Sequence, residues 1–346
     1  MSKPDPTMPD FEKTPSEVRE ILHKPISQLG LKLEGSPVDR FVQQLHRELE
    51  RKGLRRFRPV CYLTDEWGCP DGQPVIGIPF YLADPKLARL ERAMNDLEDE
   101  REIMMYLRHE AGHAFNYAYR LYKTDEWKTL FGPFRRPYRD HYRPVPFSRA
   151  YVRHIAGWYA QKHPDEDFAE TFAVWLTPRS NWRKRYRGWG ALRKLRYVDR
   201  IADRWGDHEP LRPMGETDVT VEEMEVTLED FYRATTPDES QAIADLALDT
   251  DLTDIFVKPG PRRRRGIRPA AEVLAERRKE ITDKVTYWTG VRRPLVKKLV
   301  ESIEDRVRHL GLAAVAGKES AHVVEVTAYT TTLAMNYLTR GRFTQP

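Results

Sequence analysis

Cysteine is almost missing from this chain: Cys61 and Cys69 are the two present among 346 residues. Two thiols eight positions apart make neither a pair of C-x-x-C zinc knuckles nor the disulfide framework of a small secreted domain. They are expected to stay reduced, with a hairpin disulfide as the alternative. Long apolar runs are missing too. No segment approaches the roughly 20 apolar residues of a membrane-spanning helix. The opening MSKPDPTMPDFEKTPSE lacks the apolar centre of a secretory signal. With a mean hydropathy of −0.69, these absences lead to the expectation of a soluble, cytoplasmic protein without a membrane partner.

What is present is charge, and it is segregated. Residues Glu216 to Asp254 hold thirteen acidic side chains against Arg233 alone, while from Arg262 onward eighteen Lys and Arg face nine Asp and Glu. Blocks of this kind more often solvate a surface or attract each other within one molecule than define a nucleic-acid site. The length suits two domains of ordinary size. We expect a disordered leader over 1–20, a first domain over 21–210, an acidic linker or short helices over 211–261, and a basic helical domain over 262–346.

Within the first domain, Phe41, Val42, Leu45 and Leu49 have the spacing of a core-facing helix. Phe57 to Leu63 and Pro74 to Leu82 read as a hairpin or two neighbouring strands. Pro79 points to an edge strand, which either receives a peptide as a further strand or is an ordinary protected edge. Tyr122 to Val145, rich in proline, arginine and aromatics, reads as an irregular wall over a site. A helix is expected from Ser148, and another after Pro164. Ala270 to Tyr287, Pro294 to His309 and Ser320 to Leu338 read as three helices.

The chemistry lies in RHEAGHA, Arg108 to Ala114. His109 and His113 are four apart, so on a helix they share a face and can bind one metal ion. Glu110 stands beside them, placed to take a proton from a metal-bound water. A catalytic zinc needs a third protein ligand, and Glu166, His141 and His163 are candidates. Glu166 opens an E-x-x-x-E pair with Glu170 on a downstream helix, which holds a ligand more rigidly than a loop. Glu170 would then brace a histidine. His154, inside an apolar stretch, reads as structural. Tyr138, His141, Tyr142 and Tyr151 are candidate oxyanion or substrate contacts, although packing explains each aromatic taken singly.

RHEAGHAFNYAY followed by HPDEDFAETFAVWL is similar to a bacterial family of zinc-binding metallopeptidases. It also resembles the wider gluzincin group that includes thermolysin and anthrax lethal factor. The resemblance covers roughly residues 20 to 205. It implies an α+β, zincin-like domain: a small sheet with an edge strand, the HExxH helix and a downstream glutamate helix, followed by a mostly helical C-terminal region. It further implies one Zn2+ per chain held by His109, His113 and Glu166, Glu170 behind them, and peptide-bond hydrolysis with Glu110 as general base. Some relatives carry an N-terminal zinc ribbon, for which this chain has no cysteines. Two other readings remain: a zinc-containing binding or scaffold protein without turnover, and a nucleic-acid-associated metalloprotease with His141 as third ligand. Nucleic acid is not the favoured partner, because no reading motif accompanies the basic blocks.

Overall fold

Apolar residues at helical and strand spacing divide the chain into twelve α-helices and two two-stranded sheets, an α+β protein, among the residues described. The computed structural model describes residues 19–95, 97–139, 142, 144–213, 215–235, 243, 246–260 and 266–343. Two compact units result, one holding Pro9–Thr236 and the other Pro237–Pro346.

In the first unit, helix α1 (Asp39–Arg51) buries Phe41, Val42, Leu45 and Leu49, the expected stripe. Strands β1 (Val60–Thr64) and β2 (Val75–Pro79) pair in parallel, with Val60 opposite Val75 and Thr64 opposite Pro79. This overturns the hairpin alternative, which would have made them antiparallel. The connecting loop instead returns along β2, and Gly77 exchanges hydrogen bonds with Gly68: its N–H donates to the Gly68 carbonyl at 2.7 Å. The fit there is close: a Cβ on residue 77 would lie 2.6 Å from Thr64 Cγ2, and Thr64 would have to shift. The free side of β2 is therefore met by the chain's own loop, and β2 is buried along its length, which favours the protected edge over the peptide-binding one.

Helix α2 (Pro85–Met94) starts at Asp84, whose carboxylate accepts from the Lys86 and Leu87 N–H groups. Helix α3 (Glu100–Ala118) opens on a capping box in which Asp99 accepts from the first turn and Glu102 reaches back to the Asp99 N–H. The Tyr122 to Val145 stretch is not wholly irregular. Thr124 caps a short helix, α4 (Asp125–Phe131), whose Trp127 and Phe131 are buried in the core against Phe168.

The helix expected from Ser148 is absent. Phe147, Gly157 and Trp158 adopt positive φ, and two backbone donors are spent on side chains elsewhere. Arg153 N–H donates to the Tyr186 hydroxyl and Ile155 N–H to Glu170. Helix α5 (Pro164–Leu176) is buried at every residue. Helices α6 (Trp182–Arg185), α7 (Ala191–Trp205) and α8 (Leu228–Thr235) complete the unit. Part of the expected acidic linker belongs here as well, because Val221, Met224, Leu228 and Tyr232 join the first unit's core. Its backbone pairs with the N-terminal segment, Ile26 N–H donating to Val226 O at 3.0 Å.

The second unit contains helix α9 (Asp249–Ile255), strand β3 (Ile267–Pro269), helices α10 (Ala270–Thr289) and α11 (Arg293–His309), strand β4 (Ala313–Val315) and helix α12 (Glu319–Arg340). The three long helices lie where the periodicity predicts them and bury Leu274, Ile281, Leu299, Ile303, Val326 and Leu333. The short β3–β4 pair was not expected. No helix among the described residues is long and apolar enough to cross a membrane.

Candidate metal centre

Two buried helices make the centre. Gly112, between the two histidines of α3, lets that helix approach α5 at Ala169: a Cβ there would stand 2.7 Å from the Ala169 Cα. The absence of a side chain at one position thus brings His109 and His113 against Glu166. A second tie holds α3 from behind, where the Arg108 guanidinium binds the buried Glu48 carboxylate of α1 at 2.7 and 2.9 Å.

His109 Nε2, His113 Nε2 and Glu166 Oε2 form a triangle with edges of 3.1, 2.9 and 3.2 Å. Zinc bound tetrahedrally at about 2.0–2.1 Å needs donors about 3.3–3.4 Å apart, so the set fits one ion with slight expansion. The opposite ring nitrogens are occupied. His109 Nδ1 donates to Glu170 Oε1 at 2.9 Å and His113 Nδ1 donates to Asp165 Oδ2 at 2.8 Å, since an ionised carboxylate can only accept. Each bond turns its Nε2 toward the triangle, the arrangement that orients metal-ligating histidines. These three residues form the one potential metal-holding group among the described residues, and all are buried.

The electrostatics follow from burial against charge. Burial alone would lower the His109 imidazole, but hydrogen bonds to Glu166 and Glu170 outweigh it and hold it at about 9. Burial acts likewise on His113, and the charges of Asp165 and Glu166 raise it well above its usual value. Glu166 is the counterpart: burial would raise it, yet the His113 charge and hydrogen bonds from both histidines hold it well below the carboxylate range. Glu110 is raised by burial, opposed by the two histidines. It has no hydrogen-bond or ion-pair partner among the described residues, and it lines a cavity of about 600 Å³ together with the cluster.

Glu166 Oε1, the oxygen outside the triangle, accepts from the Tyr138 hydroxyl at 2.6 Å and the Tyr159 hydroxyl at 3.3 Å. Of the expected oxyanion contacts, Tyr138 therefore reaches the cluster and lines the cavity. Tyr142 does not, because its hydroxyl donates to the Gly157 carbonyl at 2.9 Å. Nor does Tyr151, over whose ring Lys194 lies at 4.3 Å. His141 lies outside the described residues. His163 lines the cavity with both ring nitrogens engaged, Nδ1 accepting from Asp165 N–H and Nε2 donating to the Arg136 carbonyl. His154 pairs with the Met105 carbonyl at 3.0 Å, away from the triangle. Both cysteines are free thiols; Cys69 lines the cavity and donates to Gln73 O.

Three participants escaped the sequence reading: Asp165, Tyr159 and Gly112. Asp165 was visible as the acid preceding Glu166. It accepts from Asn116 Nδ2 at 2.6 Å and from the Tyr117 hydroxyl, one helical turn beyond His113. Gly112 was visible as an unexplained glycine inside a helix. Nothing in the sequence pointed to Tyr159.

A buried two-histidine, one-glutamate set with a carboxylate behind each imidazole is a donor set that could hold a metal ion, and it is one that zinc-binding proteins use. Residues 72–183 match the model of a family described as "Putative zinc-binding metallo-peptidase". That span contains both motif helices. Neither the curated proteins nor the solved structures contain a match to the chain.

Proposed function

We propose that the chain is a zinc-dependent peptidase that hydrolyses amide bonds of peptides or proteins, with His109, His113 and Glu166 as ligands and Glu110 as general base. The observation that carries this reading is the Nε2–Nε2–Oε2 triangle, with Glu110 beside it on a cavity wall and without a partner among the described residues. A zinc ion bound there supplies a Lewis acid for the substrate carbonyl and a water of lowered pKa. The protein's part is to present, orient and shuttle protons. Glu170 and Asp165 keep the Nδ1 protons in place so that both Nε2 lone pairs face inward. Tyr138 and Tyr159 hold the outer oxygen of Glu166, leaving Oε2 to ligate. Glu110, raised by burial, accepts the water's proton and returns it to the leaving amine.

The test is zinc content and peptide cleavage in one preparation. Full-length protein should carry about one zinc per chain and cleave peptides from a mixed pool. Glu110→Gln should keep the zinc and lose cleavage. Unchanged cleavage in that variant would remove Glu110 from the role, and zinc far below one per chain would remove the reading itself. Glu166→Ala should lose zinc where His141→Ala keeps it; the reverse would favour the His141 alternative.

A further inference from the structure

We infer that Arg135 and Arg136 form a subsite for a carboxylate of the substrate, so that the cavity selects anionic peptides. This rests on the peptidase reading of the same cavity. Six formally charged Asp, Glu, Lys or Arg residues line it, and Arg135 and Arg136 are its cations apart from histidine. The four acids of the lining are Asp71, Glu110, Asp165 and Glu166, of which Asp165 and Glu166 are engaged by the histidines. The two arginines are exposed, and neither has an ion pair among the described residues.

The backbone that carries the pair is anchored to the metal helix. The Arg136 carbonyl accepts from His163 Nε2 at 2.8 Å, and Tyr138, two residues on, donates to Glu166 at 2.6 Å. Both anchors belong to the start of α5, so the backbone that carries the two arginines is tied to the element that supplies Glu166. Lys162 adds a further cation nearby, 4.3 Å from the Tyr138 ring centre and 5.3 Å from that of Tyr159. The planar fork of a guanidinium matches a carboxylate in two hydrogen bonds. Grouped cations at a cavity mouth also raise the local concentration of anionic ligands. The matching chemistry is a carboxylate, supplied by an Asp or Glu side chain or by a peptide C-terminus.

The experiment measures binding to zinc-loaded, full-length Glu110→Gln protein, using one fluorescent peptide sequence carrying Glu, Gln or Lys at each position in turn, with a free or amidated C-terminus. The Glu form at one position, or the free acid over the amide, should bind about tenfold more tightly. Which comparison shows the difference identifies the source of the carboxylate. Arg135→Ala with Arg136→Ala should bring that ratio toward one, and Arg135→Glu with Arg136→Glu should turn the preference toward Lys. Equal binding of all forms, no binding of any, or a ratio unchanged in both double variants overturns the subsite. A carboxylate preference that persists without cleavage by the Glu110-bearing protein supports the subsite and overturns the peptidase reading, so the two failures are distinct.

Discussion

Each imidazole of the triangle carries its own carboxylate, and that pairing sets what single substitutions should do. Asp165→Asn and Glu170→Gln each remove a brace without touching a ligand atom. Each should weaken zinc binding by about 10–100-fold, the usual effect of losing such a partner, measured by chelator competition. A wild-type affinity in Asp165→Asn would show that the negative charge of Asp165 is not needed to orient His113. The same residues set a pH dependence. His109 stands at about 9, above its ordinary 6.5, so its contribution to the metal-free chain is full below about pH 6.5 and lost as pH rises through about 9. Glu166 lies well below 4.5, so its contribution is present above about pH 4.5 and lost as pH falls further. The metal-free protein should therefore be most stable between about pH 4.5 and 6.5 and weaken toward pH 9, as thermal melts after chelation would report. Protons would compete with a zinc ion bound at the Nε2 atoms, so zinc affinity should rise with pH across that upper interval. A flat profile would mean that the histidines are neutral without metal.

Between the elements, the contact that decides the site is α3 against α5 at Gly112. Alanine is the better helix former by about 1 kcal/mol. Here its methyl carbon would meet Ala169 backbone atoms at 2.7 and 3.0 Å, and backbone cannot step aside as a flexible side chain can. Overpacking of this kind costs about 1–3 kcal/mol, so Gly112→Ala should destabilise the protein despite the propensity gain. Because the same contact sets the distance from His109 and His113 to Glu166, zinc content should fall as well. Urea unfolding and metal analysis of one preparation would check both, and a more stable variant with full zinc would refute the close-packing argument. The failed helix after Ser148 belongs to this scale too. Its Ile155 N–H, which a helix would have kept within its own ladder, instead completes the Glu170 carboxylate.

At the level of the whole molecule, the chain consists of two units, and every residue of the candidate centre lies in the first. A fragment ending near residue 236 should fold and bind zinc with the stoichiometry of the full chain, because the acidic stretch through Tyr232 completes that unit's core. Ending it near residue 210 should fail, since removing Val221, Met224, Leu228 and Tyr232 exposes their packing partners. Circular dichroism and zinc analysis of the two fragments would separate these outcomes, and a folded, zinc-binding shorter fragment would return residues 215–235 to the status of a linker.

Much of this was legible one residue at a time. The four-residue spacing of His109 and His113, the E-x-x-x-E pair and the three C-terminal helices are local patterns, and local periodicity is enough to read them. The pairing of β1 with β2 was not local: the strands' composition is the same whether they run parallel or antiparallel, and only the path of the loop through Gly68 decides. Likewise, Asp165 and Glu170 are two carboxylates on one helix, and no spacing rule says which imidazole each will meet. That was settled by Gly112, which sets how closely α3 and α5 approach, and by the loop whose Tyr138 and Tyr159 hydroxyls reach Glu166 from outside both helices.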